Sequence, residues 1–315
     1  VGRGRVAEEP IRPLEDVPPQ NPGHRRRQVL VRDGGSHQLA AELAEGKRVT
    51  VDAPGIDGTI SLLGSRIDDI ALKGFYDTIE DKLAKRKDRE VQLLSPVGSD
   101  RAFYAVIAWQ TERGFSTNDA TWTQTNTGPL TPDNPLRLTY AGPSARIDRT
   151  ISLDADSMFT VADTLTNTGA APITLTPVVD IRQRALATHT TPEKSEIGAF
   201  RGVVGVYGDR RNQMRSYSDL AKSDVDVSKQ VKEEVSSGWV GLTTKYWMAA
   251  AVPPQGEPVS IRAGVTKANG QAEFNAGFAT SPYTVQPGQS LSTTSRVFAG
   301  AKRVAVLDRY ENSKT

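Results

Sequence analysis

The 315-residue chain contains no cysteine, which excludes a disulfide framework, a thiolate zinc site and a cysteine nucleophile together. It also lacks a long hydrophobic run. The longest unbroken apolar stretch, Ala102 to Trp109, falls far short of the ~20 residues that a membrane-spanning helix needs. Charge of one sign is not in excess: 39 Lys+Arg stand against 37 Asp+Glu, a net of +2, so the chain carries no field suited to a polyanion and a nucleic-acid partner is not expected. Methionine is scarce and the first is Met158. With no basic segment and apolar run of a signal peptide at its start, the chain reads as a piece of something longer.

What the first residues lack divides the chain. Residues 1 to 48 hold none of the 8 Phe, 8 Tyr and 4 Trp but five prolines, Pro10, Pro13, Pro18, Pro19 and Pro22. Such a segment cannot offset its ordering entropy by burial, so residues 1–47 are expected to form a flexible tether and 48–315 the folded body. The nine basic and seven acidic residues before position 49 leave residues 49–315 with 30 of each sign and no net charge. The run Arg25-Arg26-Arg27 reads as solvated charge in that tether.

From Val49 onward, short alternating segments are separated by turn residues about every ten positions, the pattern of an antiparallel all-β domain. Ile60 and Leu62, then Ile67, Ile70 and Leu72, open it. Ile147, Ile151 and Leu153 continue it, and Phe159, Val161 and Leu165 run to a turn at Asn167-Thr168-Gly169. The stretch from Val259 to Val265, the Asn269-Gly270 pair and the return through Phe274 and Phe278 predict a β-hairpin. In Gly238-Trp239-Val240-Gly241-Leu242, alternation puts Trp239 on one face and Val240 and Leu242 on the other, and Trp239, Tyr246 and Trp247 read as sandwich core rather than as a sugar-stacking platform. Helix signals are few. Thr78 to Arg89 predicts a short exposed helix or a loop, and Ser216 to Val235 a helical turn or two. After a last strand over Leu291 to Phe298, Val304, Leu307 and Tyr310 fall at helical spacing. They predict an amphipathic linker helix over 300–311 that docks at the end of the sandwich.

A search for chemistry finds little. His24 and His37 lie in the tether and His189 in a threonine-rich stretch, with no second ligand at metal spacing. Gly2-Arg3-Gly4-Arg5-Val6-Ala7 fits a dinucleotide fingerprint formally, but no strand precedes it and no helix follows. Asp68-Asp69 and Asp154/Asp156 could each be imagined as a glycosidase acid and base, and both read more simply as turn or strand-edge acids. No phosphate loop, zinc helix motif or nucleophile elbow is present. The residues therefore predict no enzyme, no cofactor and no metal.

Longer segments carry a resemblance. Arg48-Val49-Thr50-Val51-Asp52-Ala53-Pro54, Gly58-Thr59-Ile60-Ser61-Leu62-Leu63-Gly64-Ser65-Arg66-Ile67-Asp68-Asp69-Ile70 and Leu93-Leu94-Ser95-Pro96-Val97-Gly98 are similar to the opening of the periplasmic domain of the bacterial YidC insertase family. Asp148 to Asp154, Met158 to Val161, Gly238 to Thr243, Lys245-Tyr246-Trp247, Phe298 to Lys302 and Val304 to Asp308 follow in the family's order. Lys82 to Arg89 and Ile197 to Ser237 depart from it.

The resemblance implies a large antiparallel super-β-sandwich, galactose-mutarotase-like, at the periplasmic face of the bacterial inner membrane. It implies a non-catalytic domain of a multi-pass protein that helps insert and fold nascent inner-membrane proteins, alone or with the Sec translocon. The implied partners are SecDF through SecF, SecYEG and the protein's own transmembrane insertase core. Val304, Leu307 and Tyr310 are then expected to face that core or the membrane, and Phe200 and Tyr207 to face SecF. The alternatives are a carbohydrate-binding or mutarotase-like periplasmic protein, since that fold hosts sugar chemistry, and a free-standing chaperone, which would need an exposed apolar groove.

Overall fold

The computed structural model describes residues 47–112, 114–186, 200–207, 210–222, 230–268 and 271–312. Two antiparallel sheets hold more than half of them. The first has ten strands. Its path runs β1 (Arg48–Asp52), β2 (Ile56–Ser61), β3 (Arg66–Tyr76), β5 (Phe103–Gln110), β10 (Ile173–Arg184), β17 (Gln271–Thr280), β16 (Val259–Ala268) and β13 (Val231–Val235). Beside this path β4 (Glu90–Leu94) pairs with β3 and β18 (Tyr283–Val285) with β10. The nine-stranded second sheet runs β12 (Arg210–Ser216), β11 (Gly202–Tyr207), β14 (Gly238–Thr243), β15 (Trp247–Val252), β19 (Ser290–Ala301), β9 (Met158–Asn167), β8 (Ala145–Leu153), β7 (Leu136–Ala141) and β6 (Thr123–Gln124). Among the described residues three short α-helices accompany them, α1 (Ile79–Leu83), α2 (Tyr217–Ala221) and α3 (Val304–Asn312).

The period-two pattern chooses the inner faces. Ile147, Ile151 and Leu153 of β8, Phe159, Val161 and Leu165 of β9, and Val240 and Leu242 of β14 meet Ile60, Ile67, Ile107, Phe274 and Phe278 of the first sheet in one apolar core. The unbroken run at 103–109 makes β5 bury both of its faces, as a central strand covered on each side must. Phe103, Ala105, Ile107 and Trp109 enter the main core, while Tyr104, Val106 and Ala108 join Ala102 and Val178 in a second cluster on the outer face. The expected hairpin is β16–β17, in register from Val259↔Thr280 to Ala268↔Gln271. Its two-residue turn, Asn269-Gly270, lies outside the described residues, as do the expected tether, all three histidines and the arginine run.

A buried charge pair ties the sheets together. Arg149 and Asp163 face each other across β8 and β9, with side chains 0% and 6% exposed. The guanidinium donates to both carboxylate oxygens, at 2.8 and 2.7 Å, and to the Ile107 carbonyl of the opposite sheet at 2.9 Å. The indole N–H of Trp109, also from the opposite sheet, donates to Asp163 at 2.7 Å, and the guanidinium lies 4.4 Å from the centroid of the Trp122 ring. Both carboxylate oxygens and all three guanidinium nitrogens thus have a hydrogen-bond partner, which favours tolerance of a charge pair there.

The structure corrects the expected helix boundary. Gly300 and Ala301 still belong to β19, where they pair with Met248 and Trp247 of β15. The strand ladder satisfies their backbone groups, and the helix begins only at Val304.

Candidate functional site

The last strand delivers the chain to the outer face of the second sheet. Along β19, Val297 and Ala299 point into the sandwich core and Phe298 points away from it. Met248 and Ala250 of β15 and Met158 of β9 lie on that same outer face, and α3 covers them with Val306 and with the partly buried Leu307 and Tyr310. Phe298 and Tyr310 meet edge to face, centroids 6.1 Å apart. The helix therefore packs on the outer face of the sheet, not against the end of the sandwich, because β19 presents its alternate side chains there.

A tight turn between β8 and β9 latches the helix. The Asp154 carboxylate accepts the backbone N–H groups of Asp156 and Met158, each at 2.9 Å, and Ser157 takes a left-handed conformation with φ 75°. The turn thus holds two carboxylates out toward the helix. The Tyr310 hydroxyl donates to Asp154 at 2.7 Å, and Asp156 pairs with Arg309 and, at 3.6 Å, with Arg303. Burial, then the Asp154 hydrogen bond, pushes the Tyr310 phenol well above its ordinary range. On the approach to the helix, the Lys302 amine donates to the Thr244 carbonyl at 2.6 Å and burial lowers its pKa. Its backbone N–H donates to the Tyr246 carbonyl at 2.9 Å.

The residues expected to mark this joint are partly reassigned. Of the three residues expected to face the insertase core or the membrane, Leu307 and Tyr310 are turned to the outer face of the sheet, while Val304 is 73% exposed and lies off that contact. Val306, 3% exposed, occupies the central position instead, because the outer cluster of the sheet receives the stripe of Val306, Leu307 and Tyr310. Asp154 and Asp156, read from sequence as turn acids or a candidate acid pair, prove to be the latch. Their partners are some 150 positions away in the chain, so no local spacing could have revealed them. The other acid pair is equally occupied: Asp68 pairs with Arg48, and Asp69 accepts from Thr59 at 2.7 Å and Gln92 at 2.8 Å. Burial raises the Asp68 carboxyl while Arg48 draws it down.

The two residues expected to face SecF separate. Tyr207 is 6% exposed and belongs to the main core, because β11 points it inward, so it is no surface contact. Phe200 precedes β11 and is partly buried. Of the aromatic group read as sandwich core, Trp247 packs against the main core and meets Phe75 edge to face at 5.1 Å. Trp239 instead lies beside Met248 and Phe298 in the outer cluster under α3, and Tyr246 is exposed. Alternation assigned the faces of β14 correctly but could not say that the outer face is covered as well. Among the described residues no group of three His, Asp or Glu side chains is placed to hold a metal ion, and no helix is long and apolar enough to cross a membrane.

Known proteins match this architecture at two levels. In three dimensions the chain is similar to a galactose mutarotase-like protein from Lactobacillus casei (TM-score 0.49, 10% identity, covering 80% of this chain and 100% of that one). It is similar too to a galactose mutarotase related enzyme from Lactobacillus acidophilus (TM-score 0.48, 10% identity, 80% and 97% covered). In sequence it is 35% identical over 275 residues to the membrane protein insertase YidC of Maricaulis maris, covering 86% of this chain and 44% of that protein. It is 34% identical over 280 residues to the YidC of Caulobacter sp. strain K31, covering 85% and 44%. The chain thus spans less than half the length of the curated relatives it matches. The YidC periplasmic domain family matches residues 48–314, from the first strand through the latched helix, and the chain belongs to that family.

Proposed function

We propose that this chain is the periplasmic domain of a bacterial inner-membrane insertase and works without catalysis, as an interaction module that orients the rest of the protein. The observation that carries this reading is the joint. Three polar contacts from one turn and an apolar contact on the outer sheet fix the direction in which the chain leaves the sandwich at α3. A free end would need none of this, whereas a segment leading to a transmembrane insertase core would need its direction set. Occupation of Asp68, Asp69, Asp154 and Asp156 by structural partners supports the non-catalytic half of the reading, because a general acid or base needs a proton within reach of substrate.

The partners follow the same division. Nascent inner-membrane proteins are the clients of the whole insertase, with SecYEG as the translocon it works beside. SecDF contacts the domain through SecF at the free edge of the second sheet, where Phe200 precedes β11 and Met214 of β12 is 56% exposed. Complementation of a YidC-depleted bacterium by the full-length protein tests both surfaces. Val306→Ala with Leu307→Ala is expected to impair growth and membrane insertion more than Phe200→Ala with Met214→Ala, since the helix contact orients the core and the edge contact is accessory. Full complementation by the helix double variant, at normal protein level, would refute the role assigned to the joint.

A further inference from the structure

The first sheet carries, on the face turned away from the sandwich core, a hollow of about 300 Å³ that none of the polar contacts above uses. Strand register builds it. Asp180 of β10, Gly277 of β17, Arg262 of β16 and Lys232 of β13 lie in one row across four neighbouring strands. Arg182, Asn275 and Gly264 form the next. The glycines leave the floor low: a Cβ on Gly277 would overlap the Val179 carbonyl oxygen and crowd the Asp180 carboxylate.

The lining is unbalanced in charge and in hydrogen bonds. Its charged residues are Arg182, Arg262 and Lys232 against Asp180 alone, a local excess of two positive charges although residues 49–315 as a whole carry no net charge. Glu273, close by on β17, is taken by the Tyr104 hydroxyl at 3.1 Å, and Glu234 sits opposite Ser260 at the sheet edge. Asp180 holds Arg182 at 3.1 Å, while Arg262 and Lys232 have no ion-pair partner among the described residues. Eight buried side-chain polar atoms in the described residues lack a hydrogen-bond partner, and four of them, Nε of Arg182, Nε of Arg262, Oδ1 of Asn275 and Oγ of Ser260, belong to this one face. Each such group carries a desolvation cost, so their concentration in one place is characteristic of a surface that is completed by something else.

We infer that this hollow binds a small anionic sugar, a monosaccharide carrying a carboxylate or a phosphate. The two under-paired guanidinium groups present forked donors that match an oxyanion across two N–H groups. Lys232 adds a point charge at the rim, and Asn275, Gln110 and Thr266 offer the amide and hydroxyl groups that a polyol requires. The volume sits at the lower end of small-molecule sites and admits one sugar ring. A neutral sugar would leave the charge excess unmet, and a bare anion would leave the amide and hydroxyl groups unused.

Titration calorimetry on this chain at fixed ionic strength, with glucuronate, glucose 6-phosphate, glucose and inorganic phosphate as probes, tests the inference. Saturable binding of glucuronate or glucose 6-phosphate, at least about tenfold tighter than glucose and than inorganic phosphate, is expected, and whichever of the two binds tighter tells carboxylate from phosphate. Arg262→Ala should weaken it by about tenfold or more, the loss of one charge-assisted contact. Lys232→Ala, at an exposed edge position where folding is not at risk, should weaken it by a few-fold. Equal affinity for glucose, equal affinity for inorganic phosphate, no saturable binding of any probe, or binding unchanged in both variants would each overturn the proposal. The readout is independent of insertion activity, so the assignment to the insertase stands or falls separately.

Discussion

Asp163→Ala puts the internal architecture to its hardest test. The substitution removes the acceptor for two guanidinium hydrogen bonds and for the Trp109 indole, and leaves Arg149, with a side chain 0% exposed, charged and facing only the Ile107 carbonyl and the Trp122 ring. An uncompensated buried charge of this kind costs about 3–5 kcal/mol, and the orphaned indole adds about 1 kcal/mol. With a urea dependence of about 3 kcal/mol per molar, the midpoint should fall by about 1.3–2 M. Tryptophan fluorescence reports the loss directly, since Trp109 and Trp122 line the site, and circular dichroism should trace the same transition if the domain unfolds as one unit. Replacing both charges, Arg149→Met with Asp163→Leu, should recover most of the loss, because an apolar pair of similar volume needs no solvation. A single variant that loses under about 1 kcal/mol, or a double variant as unstable as Asp163→Ala, would refute the claim that the pair is a clasp whose halves depend on each other.

Other expectations follow from the same contacts. Tyr310→Phe should cost about 1 kcal/mol, the worth of one hydrogen bond, and should speed proteolysis within 302–312 while leaving the midpoint of the sandwich unchanged; equal protection of the segment would remove Asp154 from the latch. Val306→Ala, which opens a small gap under α3, should have the same local effect and cost about 1–2 kcal/mol. Alkaline titration gives a sign to check. The Tyr283 phenol is pushed up to about 12, by burial first and then by donating to Glu257 at 2.7 Å, against about 10 when unfolded. Its contribution to stability is therefore complete below about pH 10 and is lost as pH rises through 12. Difference absorbance of Glu257→Gln should show Tyr283 titrating lower than in the parent yet above its unfolded value, since burial is the larger cause; a return to about 10 would reverse that order. Gly238→Ala should destabilise the edge of the second sheet, as φ is 124° there and a Cβ would overlap the Val206 carbonyl.

The sequence by itself determined the class of the fold and most of its strands, because a sheet buried on one face writes a period of two into the chain. Ile147, Ile151 and Leu153, and Phe159, Val161 and Leu165, point inward as their alternation requires, and β16 and β17 pair in register along the two runs that flank Asn269-Gly270. The family was legible for a related reason: long ordered segments from Arg48 to Asp308 survive only where strands, turns and core residues are kept together. Tertiary structure alone decided everything that joins distant positions. Alternation could show that Trp239 and Phe298 face outward but not that α3 covers them, and helical spacing offered Val304 where the sheet selected Val306. Tyr207 was legible as an aromatic near a divergent segment, and only the pleat of β11 sent it inward. Arg149 on a strand could equally have been a surface charge until Asp163 and Trp109 closed on it from two sheets. The latch of Asp154 and Asp156 onto Arg303, Arg309 and Tyr310 spans about half the chain, and the charge excess of the outer hollow is assembled from four strands. Charges act through space, within a few ångströms and at low dielectric, so their pairing is a property of the folded arrangement and not of their order in the chain.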